Sequence, residues 1–125
     1  MNQTKRFSKN AQKDFSLIDD ILLYKSEHAY SELMERYKKS VYHMILKKVF
    51  NQEDAEALTI ETFSKAFHKL ALFKKNHAFT TWLFRIATNH TIDFMRRKKY
   101  GPQVFTALFQ MIKAQNSTST YWIKI

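Results

Sequence analysis

Residues 78–99 read AFTTWLFRIATNHTIDFMRRKK, and the apolar spacing in this stretch predicts one long helix that ends in four consecutive basic residues. At about 100° per residue, one side of this helix carries Trp82, Arg85, Asn89, Ile92, Asp93 and Arg96. The opposite side carries Leu83, Ile86, Ala87, His90 and Phe94. This second side is expected to face a hydrophobic core.

The polar side of the predicted helix carries groups that suit unpaired nucleic acid. The Trp82 ring can stack on a base, the Asn89 amide can donate and accept hydrogen bonds, and guanidinium groups pair with phosphate. The alternative interpretation is an ordinary solvated helix face with Trp82 packed against a neighbouring helix. His90, on the apolar side, is expected to be a hydrogen-bonded core residue rather than a metal ligand.

The charge of the whole chain also favours a polyanionic partner. The 125 residues include 21 Lys and Arg against 11 Asp and Glu, which gives a formal net charge of +10 and a pI near 9.8. Such a balance favours nucleic acid, although charge alone does not separate DNA, RNA and a membrane surface. The length predicts one domain with a modest core.

Cysteine is absent from the sequence, so the chain needs no oxidising compartment and offers no thiolate for metal binding or nucleophilic chemistry. Residues 1–15, MNQTKRFSKNAQKDF, are polar and lack the apolar core of a signal peptide. No window of the sequence approaches the apolar length of a membrane span. We therefore expect a cytoplasmic protein without membrane insertion.

Glycine and proline each occur once, side by side at Gly101 and Pro102, which favours a helical body that ends near residue 100. Apolar spacing predicts three helices before the long one, at about 17–24, 27–50 and 52–70. Asn51 and Thr80 are the expected N-caps of the third and fourth helices. The predicted fold is an all-α compact bundle of about four helices. It spans residues 14–100, between a flexible basic N-terminus at 1–13 and a partly disordered tail at 101–125.

The third predicted helix has a core stripe and an outer face of different chemistry. Its core stripe comprises Ala55, Leu58, Thr59, Thr62, Phe63, Ala66, Phe67 and Leu70. Residues 51–63 have a net charge of −4, whereas residues 73–100 have a net charge of +6. Two patches of opposite charge favour two partners, because the acidic helix would repel a polyanion. Ala57 and Ile60 add a small apolar spot that suits docking on another protein, although a single exposed Ile is also ordinary.

Three segments of the chain, in this order, carry a resemblance to a known family. Residues 53–67, EDAEALTIETFSKAF, and 79–99, FTTWLFRIATNHTIDFMRRKK, resemble the second region of bacterial sigma factors. The group they resemble is the extracytoplasmic-function (ECF) group of the sigma-70 family. Residues 29–49, AYSELMERYKKSVYHMILKKV, resemble the first helix of the same domain. The resemblance covers roughly residues 14–100, and three motifs with short spacers are more specific than any one of them.

The resemblance implies two partners, core RNA polymerase and promoter DNA. In the family, the helix that matches residues 52–70 binds a coiled coil on the clamp of the largest polymerase subunit. The polymerase-facing candidates are therefore Asp54, Glu56, Ile60, Glu61 and Ser64. The sequence departs from the family pattern at Ala57, where an acid is common, and at Ile60, where an amide is common. An anti-sigma factor is a further candidate partner that the resemblance implies.

In the family, the connector and the long helix open the promoter at its minus-ten element and hold the non-template single strand. A base of that strand is turned out into a pocket beside the connector. The resemblance gives the connector role to Lys74, Lys75, Asn76, His77, Phe79 and Thr80. It gives contact with the strand and its backbone to Trp82, Arg85, Asn89, Arg96 and Arg97. Lys98 and Lys99 are expected to add phosphate contacts.

Full-length members of the family continue into a second helical domain, region 4, whose helix-turn-helix reads the minus-thirty-five element. The 25 residues after Tyr100 are too few for that domain, and we expect one short helix followed by a disordered tail. A truncated gene product, a natural single-domain relative and a fragment of a longer protein all fit this length. The alternative function is a sigma-like chain that occupies the polymerase clamp or another protein without productive promoter recognition.

Enzymatic chemistry has little support in the sequence. The five histidines form no i, i+4 pair, and the chain has no HExxH pattern, phosphate-binding glycine-rich loop or serine elbow. We therefore expect a protein that is not an enzyme and that needs no metal or cofactor.

Overall fold

The computed structural model describes residues 7–100 and 110–111, and four α-helices run through the first of these ranges. They are α1 (Lys9–Tyr24), α2 (Glu27–Val49), α3 (Gln52–His68) and α4 (Phe79–Tyr100). A short 3₁₀ turn, Leu70–Leu72, follows α3. Helix α2 packs against each of the other three helices. The predicted all-α bundle of about four helices is confirmed.

Side-chain caps set the starts of the first three helices. The hydroxyl oxygens of Ser8 and Ser26 accept hydrogen bonds from the backbone N–H groups three residues later, each at 3.1 Å. The Asn51 side chain accepts from the Asp54 N–H at 2.8 Å, which confirms the predicted cap of α3. Lys25 and Phe50, the residues before two of these caps, have φ angles of 51° and 54°. Each therefore ends the preceding helix in the left-handed conformation that closes a helix C-terminus.

Two predicted helix starts differ from the structure. Helix α1 begins at Lys9 rather than near residue 17, so residues 9–13 of the predicted flexible N-terminus are helical. The extension has a physical cause, because Ser8 caps the first turn and Ala11 is buried there. Helix α4 begins at Phe79, which places Thr80 inside the first turn, where it is not the cap. The predicted tail at 101–125 lies outside the described residues, apart from the helical Gln110 and Met111.

The core lies between the apolar stripes of the four helices. Leu33, Val41 and Ile45 of α2 are fully shielded from solvent. The stripe predicted for α3 is buried, with Phe67 half-buried. Helix α4 contributes Leu83 and Ala87 from the side predicted to face the core. None of the helices in the described part of the chain is both long enough and apolar enough to cross a membrane.

A buried carboxylate joins α1 to α2. Asp14 is only 1% exposed, and it accepts hydrogen bonds from Arg36 Nε at 2.8 Å and from the Tyr37 hydroxyl. Arg36 Nη2 also donates to the Asn10 carbonyl at 3.2 Å. Burial raises the pKa of the Asp14 carboxyl, against the opposing effects of Tyr37 and Arg36. Burial and the Asp14 hydrogen bond raise the pKa of the Tyr37 phenol to about 12. This network fixes the position of α1 on the bundle.

Candidate functional site

Aromatic rings hold the connector, residues 73–78, between the 3₁₀ turn and α4. Phe73 lies at the centre of this ring cluster and is buried. Its centroid lies 5.3 Å from that of Trp82, 5.7 Å from those of His77 and Phe79, and 6.0 Å from that of Phe15. Ring pairs at these separations and tilts are favourable beyond their buried area. The connector is therefore packed against both α1 and α4.

The predicted connector residues have different surroundings. Lys74 and Asn76 are exposed, and they are available to a ligand. Lys75 donates hydrogen bonds to both carboxylate oxygens of Asp19 on α1, at 2.6 and 2.7 Å. The His77 ring is half-buried against Phe73, and its Nε2 has no hydrogen-bond partner among the described residues.

Phe79 does not face solvent, although its predicted role as a DNA-contacting connector residue requires a side chain that DNA can reach. Its side chain is completely buried, and its ring packs against Tyr37, Phe73 and Trp82. A ring in this position has no free face on which a base could stack, so we remove Phe79 from the DNA-facing set. The residue follows the connector in sequence, but as the first residue of α4 it points into the bundle.

The polar stripe of α4 is partly exposed. Arg85 and Arg96 are exposed, whereas Trp82 and Asn89 are half-buried. The Trp82 ring covers part of the ring cluster and keeps some of its surface accessible. Asn89 Nδ2 is shielded from solvent and has no hydrogen-bond partner among the described residues. An unpaired buried amide donor is costly, so this side chain gains free energy from any acceptor that reaches it.

The basic end of α4 is exposed from residue 96 to residue 99. Lys98 lies 3.1 Å from an Asp54 carboxylate oxygen at the start of α3, and its ammonium lies 5.6 Å from the centroid of the Phe94 ring. The basic C-terminal end of α4 therefore contacts the acidic first turn of α3.

The outer face of α3 combines carboxylates with an apolar side chain. Glu56, Ile60 and Ser64 are exposed, and Ile60 retains 66% of its possible exposure. Beside Ile60, a shallow groove of about 560 Å³ lies between α2 and α3. It is lined by Lys38, Lys39, Tyr42, Glu56, Thr59 and Ile60. The groove offers room for an apolar side chain of a partner next to charges of both signs.

The other two predicted docking residues of α3 are engaged by α4. Asp54 pairs with Lys98, and Glu61 lies 2.6 Å from His90 Nε2. His90 is 7% exposed and lies on the core side of α4, which confirms its predicted role as a hydrogen-bonded core residue. Burial lowers the pKa of His90, although the Glu61 carboxylate opposes this effect. A neutral His90 ring meets the Glu61 carboxylate by donating from Nε2, because a carboxylate only accepts.

Sequence reasoning missed Asp14 and Asp19, which shape the site, and it placed Phe73 in the connector without a role of its own. Asp14 and Asp19 lie on α1, and Phe73 begins the connector. A signal existed for Asp14, because it shares the helical stripe of Ala11 and Ile18. Nothing in the sequence pairs Asp19 with Lys75, since the two residues are 56 positions apart. The described residues contain no group of three or more histidines and carboxylates arranged to hold a metal ion.

Comparison with known proteins gives the family of this chain. The Sigma-70 region 2 family matches residues 33–101, which is more than half of the chain. The ECF RNA polymerase sigma factor SigW of Bacillus subtilis is 37% identical over 73 residues, which cover 58% of this chain and 39% of SigW. The ECF RNA polymerase sigma factor SigE of Mycolicibacterium smegmatis is 36% identical over 70 residues, which cover 56% of this chain and 27% of SigE.

A third relative matches a shorter segment more closely. A protein of Haemophilus influenzae described as a probable RNA polymerase sigma factor is 51% identical over 49 residues, 38% of this chain and 25% of that protein. The matched part of the chain thus spans between 25% and 39% of the length of these relatives. The family match covers α4 and α3 entirely and most of α2. The chain belongs to the ECF group of the sigma-70 family, as a region 2 domain.

Proposed function

We propose that this chain is the domain of a bacterial transcription initiation factor that binds core RNA polymerase and recognises and melts the promoter minus-ten element. One observation carries the proposal. An acidic face with an exposed apolar residue on α3 adjoins a basic face with aromatic and amide groups on α4 and the connector. The relatives that the chain resembles are described as RNA polymerase sigma factors.

The outer face of α3 is the surface that we assign to polymerase, specifically to the clamp coiled coil of the largest subunit. Glu56, Ile60 and Ser64 are exposed there, so a partner helix can reach them without unfolding the bundle. A central apolar contact ringed by polar groups is the usual composition of a protein interface. Asp54 and Glu61 add negative charge to α3, although both also contact α4.

The connector and α4 form the surface that we assign to the non-template single strand of promoter DNA. Lys74, Arg85 and Arg96 are exposed basic residues whose side chains can pair with phosphates. The accessible part of Trp82 can stack on a base, which contributes about 1–3 kcal/mol per base. This gain is comparable with the few kcal/mol that turning a base out of the duplex costs. Turning out one base is then a small net change that polymerase binding can drive.

Asn89 is the residue that we assign to base discrimination. It lies two turns after Trp82, about 10 Å along the helix axis, so the two side chains suit neighbouring nucleotides. Its Nδ2 donor is shielded and has no partner among the described residues, so the half-buried side chain would present this donor to a base edge after its amide turns outward.

A titration with core polymerase tests the first assignment. The double variant Glu56→Lys/Ile60→Lys changes two exposed residues of α3 and leaves the core stripe intact. We expect about tenfold weaker binding to core polymerase, because the few residues that dominate binding cluster at the centre of an interface and tenfold corresponds to about 1.4 kcal/mol. Asp20→Lys, at an exposed position of α1, is the matched charge-reversal control. Equal affinities of the two variants would remove α3 from the docking surface.

A second titration tests the DNA assignment with the polymerase complex and a fork-shaped promoter whose minus-ten element is already single-stranded. Asn89→Ala is expected to relax discrimination at one position by about 1–3 kcal/mol. Lys47→Gln, an exposed change on α2, should preserve the wild-type base preference. A complex that binds core polymerase firmly but ignores the fork would favour the alternative function, occupation of the clamp without promoter recognition.

A further inference from the structure

The first helix of the bundle, α1, contacts the connector. Residues 9–24 form this helix, and they lie before the segment matched by the family at 33–101. Helix α1 nevertheless contacts the connector through a side chain that was assigned to DNA. Lys75 Nζ is bound by both oxygens of Asp19, at 2.6 and 2.7 Å.

Lys75 is held from two sides by neighbouring residues of one helix face. Phe15 and Asp19 are one turn apart on α1, so their side chains lie on the same face. The Lys75 ammonium lies 5.9 Å from the centroid of the Phe15 ring, a distance at which a cation and a ring face attract. The same Phe15 ring packs against Phe73 at the start of the connector, at 6.0 Å. One turn of α1 thus contacts the connector at both Phe73 and Lys75.

Helix α1 is itself fixed, so it can serve as a support. The buried Asp14 carboxylate, five residues before Asp19 on α1, binds Arg36 and Tyr37 of α2. A contact between a fixed helix and a connector restricts the connector. A phosphate contact by Lys75 would have to compete with a carboxylate that already neutralises its charge and takes two of its three donors.

We propose that Asp19 is a positioning residue for the strand-binding connector and that Lys75 is its anchor rather than a phosphate contact. The proposal rests on the proposed function for its DNA consequence, but the anchoring itself does not depend on DNA. Adjacent Lys74 is exposed and has no described side-chain partner, so it is the phosphate contact of the pair. The two neighbouring lysines therefore have separate roles.

Amide hydrogen exchange on the free chain tests the anchor directly. Asp19→Asn should speed exchange at the hydrogen-bonded amides that bound the connector, those of Leu72, Phe73 and Thr81, roughly two- to fivefold, the factor that corresponds to a partly exposed ion pair. Asp20→Asn, which removes the same charge at the adjacent exposed position, should leave the exchange of these amides unchanged. The charge swap Asp19→Lys/Lys75→Asp should restore slow exchange, which a merely misfolded variant would not do. Unchanged exchange in Asp19→Asn would overturn the proposal.

Binding of the polymerase complex to the premelted fork tests the division of roles. Lys75→Gln and Asp19→Asn should each weaken binding roughly two- to fivefold without changing its salt dependence, and their effects should not add. Lys74→Gln should instead lower the slope of log affinity against log salt by about 0.7, the value for one lost single-strand phosphate contact. Tighter binding by Asp19→Asn with a steeper slope would show that Lys75 is a masked phosphate contact, and would overturn the proposal. Failure of every variant and of the wild type to bind the fork would count against the proposed function, while the exchange result would still decide the anchor.

Discussion

Lys98 Nζ of α4 lies 3.1 Å from Asp54 Oδ2 of α3, so a residue assigned to DNA pairs with a residue assigned to polymerase. Both side chains are partly exposed, and an exposed pair of this kind contributes about 0–1 kcal/mol. Either residue can therefore change partners at little cost. A polymerase that engages Asp54 would leave Lys98 free for phosphate.

Removing the Asp54 charge should imitate this release. Asp54→Asn is expected to raise the affinity of the chain for single-stranded DNA and to steepen the salt dependence by about 0.7 in the log–log slope. Glu53→Gln, at an exposed neighbouring position, controls for the general loss of negative charge. The measurement is fluorescence anisotropy of a labelled oligonucleotide at several salt concentrations. Identical slopes for the two variants would show that Lys98 is already free to bind phosphate.

Stability should fall as the pH is lowered through the titration of His90. Burial lowers the pKa of this ring in the folded chain, so the unfolded state binds more protons below the ordinary histidine pKa of about 6.5. The free energy of unfolding should therefore be fully present above that pH and decline as the pH falls below it. Urea unfolding at pH 7.5 and pH 5.5 measures the decline in the free energy of unfolding.

His90→Gln is the variant that tests the source of this decline, and exposed His43→Gln is its control. The decline between the two pH values should shrink in His90→Gln and persist in His43→Gln. Protonation of His90 would also create a buried donor at Nδ1, which has no acceptor among the described residues. A pH dependence that survives in His90→Gln would move the cause to another group.

Loss of the Asp14 carboxylate should destabilise the whole bundle. Asp14→Ala leaves Arg36 and Tyr37 without their shared acceptor, and we expect a loss of about 3 kcal/mol, near the lower bound for breaking a buried pair. Asp20→Ala, on the exposed side of the same helix, should change stability by no more than about 0.5 kcal/mol. Chemical unfolding followed by circular dichroism compares the two. A small effect of Asp14→Ala would mean that water replaces the carboxylate without cost.

Stability and DNA affinity should separate at two positions of α4. Phe79→Ala removes a completely buried ring and should cost about 3–5 kcal/mol of stability. Arg85→Gln changes an exposed residue, so it should leave stability intact and lower the salt slope of single-strand binding by about 0.7. Thermal unfolding and the anisotropy titration together provide the check. Wild-type stability in Phe79→Ala would return this ring to the list of candidate base contacts.

Regular apolar spacing explains what could be predicted of the fold. The predicted α2 agrees with the structure to within one residue, because Leu33, Val41 and Ile45 recur at helical spacing without a polar interruption. The start of α1 was not predicted, because the charged Asp14 breaks the apolar pattern in the sequence. In the structure Asp14 is buried on the same side of the helix as its apolar neighbours. Apolar periodicity depends only on the type of each side chain in the sequence. The Asp14 carboxylate can be buried because Arg36, more than twenty residues away, pairs with it.

In the candidate site, too, residues on helix faces could be predicted from the sequence, whereas contacts that depend on tertiary packing could not. Exposure of Arg85 and Arg96 follows from the helical pattern alone, and the structure agrees with it. Phe79 could not be assigned correctly, because its position in a segment between connector and helix does not fix the direction of its ring. Engagement of Lys75 by Asp19 depends on how α1 packs, which one sequence does not specify.

The attachment of α1 through Asp14 and Phe15 has a practical consequence for the boundaries of the domain. A fragment that begins at Leu33, where the family match begins, would lack α1 and the first turns of α2. It would leave Arg36 without the Asp14 carboxylate and would expose the core surface that Phe15 covers. The folded domain therefore includes α1 from its cap at Ser8, with Phe7 packed on Phe15 just before it, and an expression boundary chosen from family similarity would remove this helix.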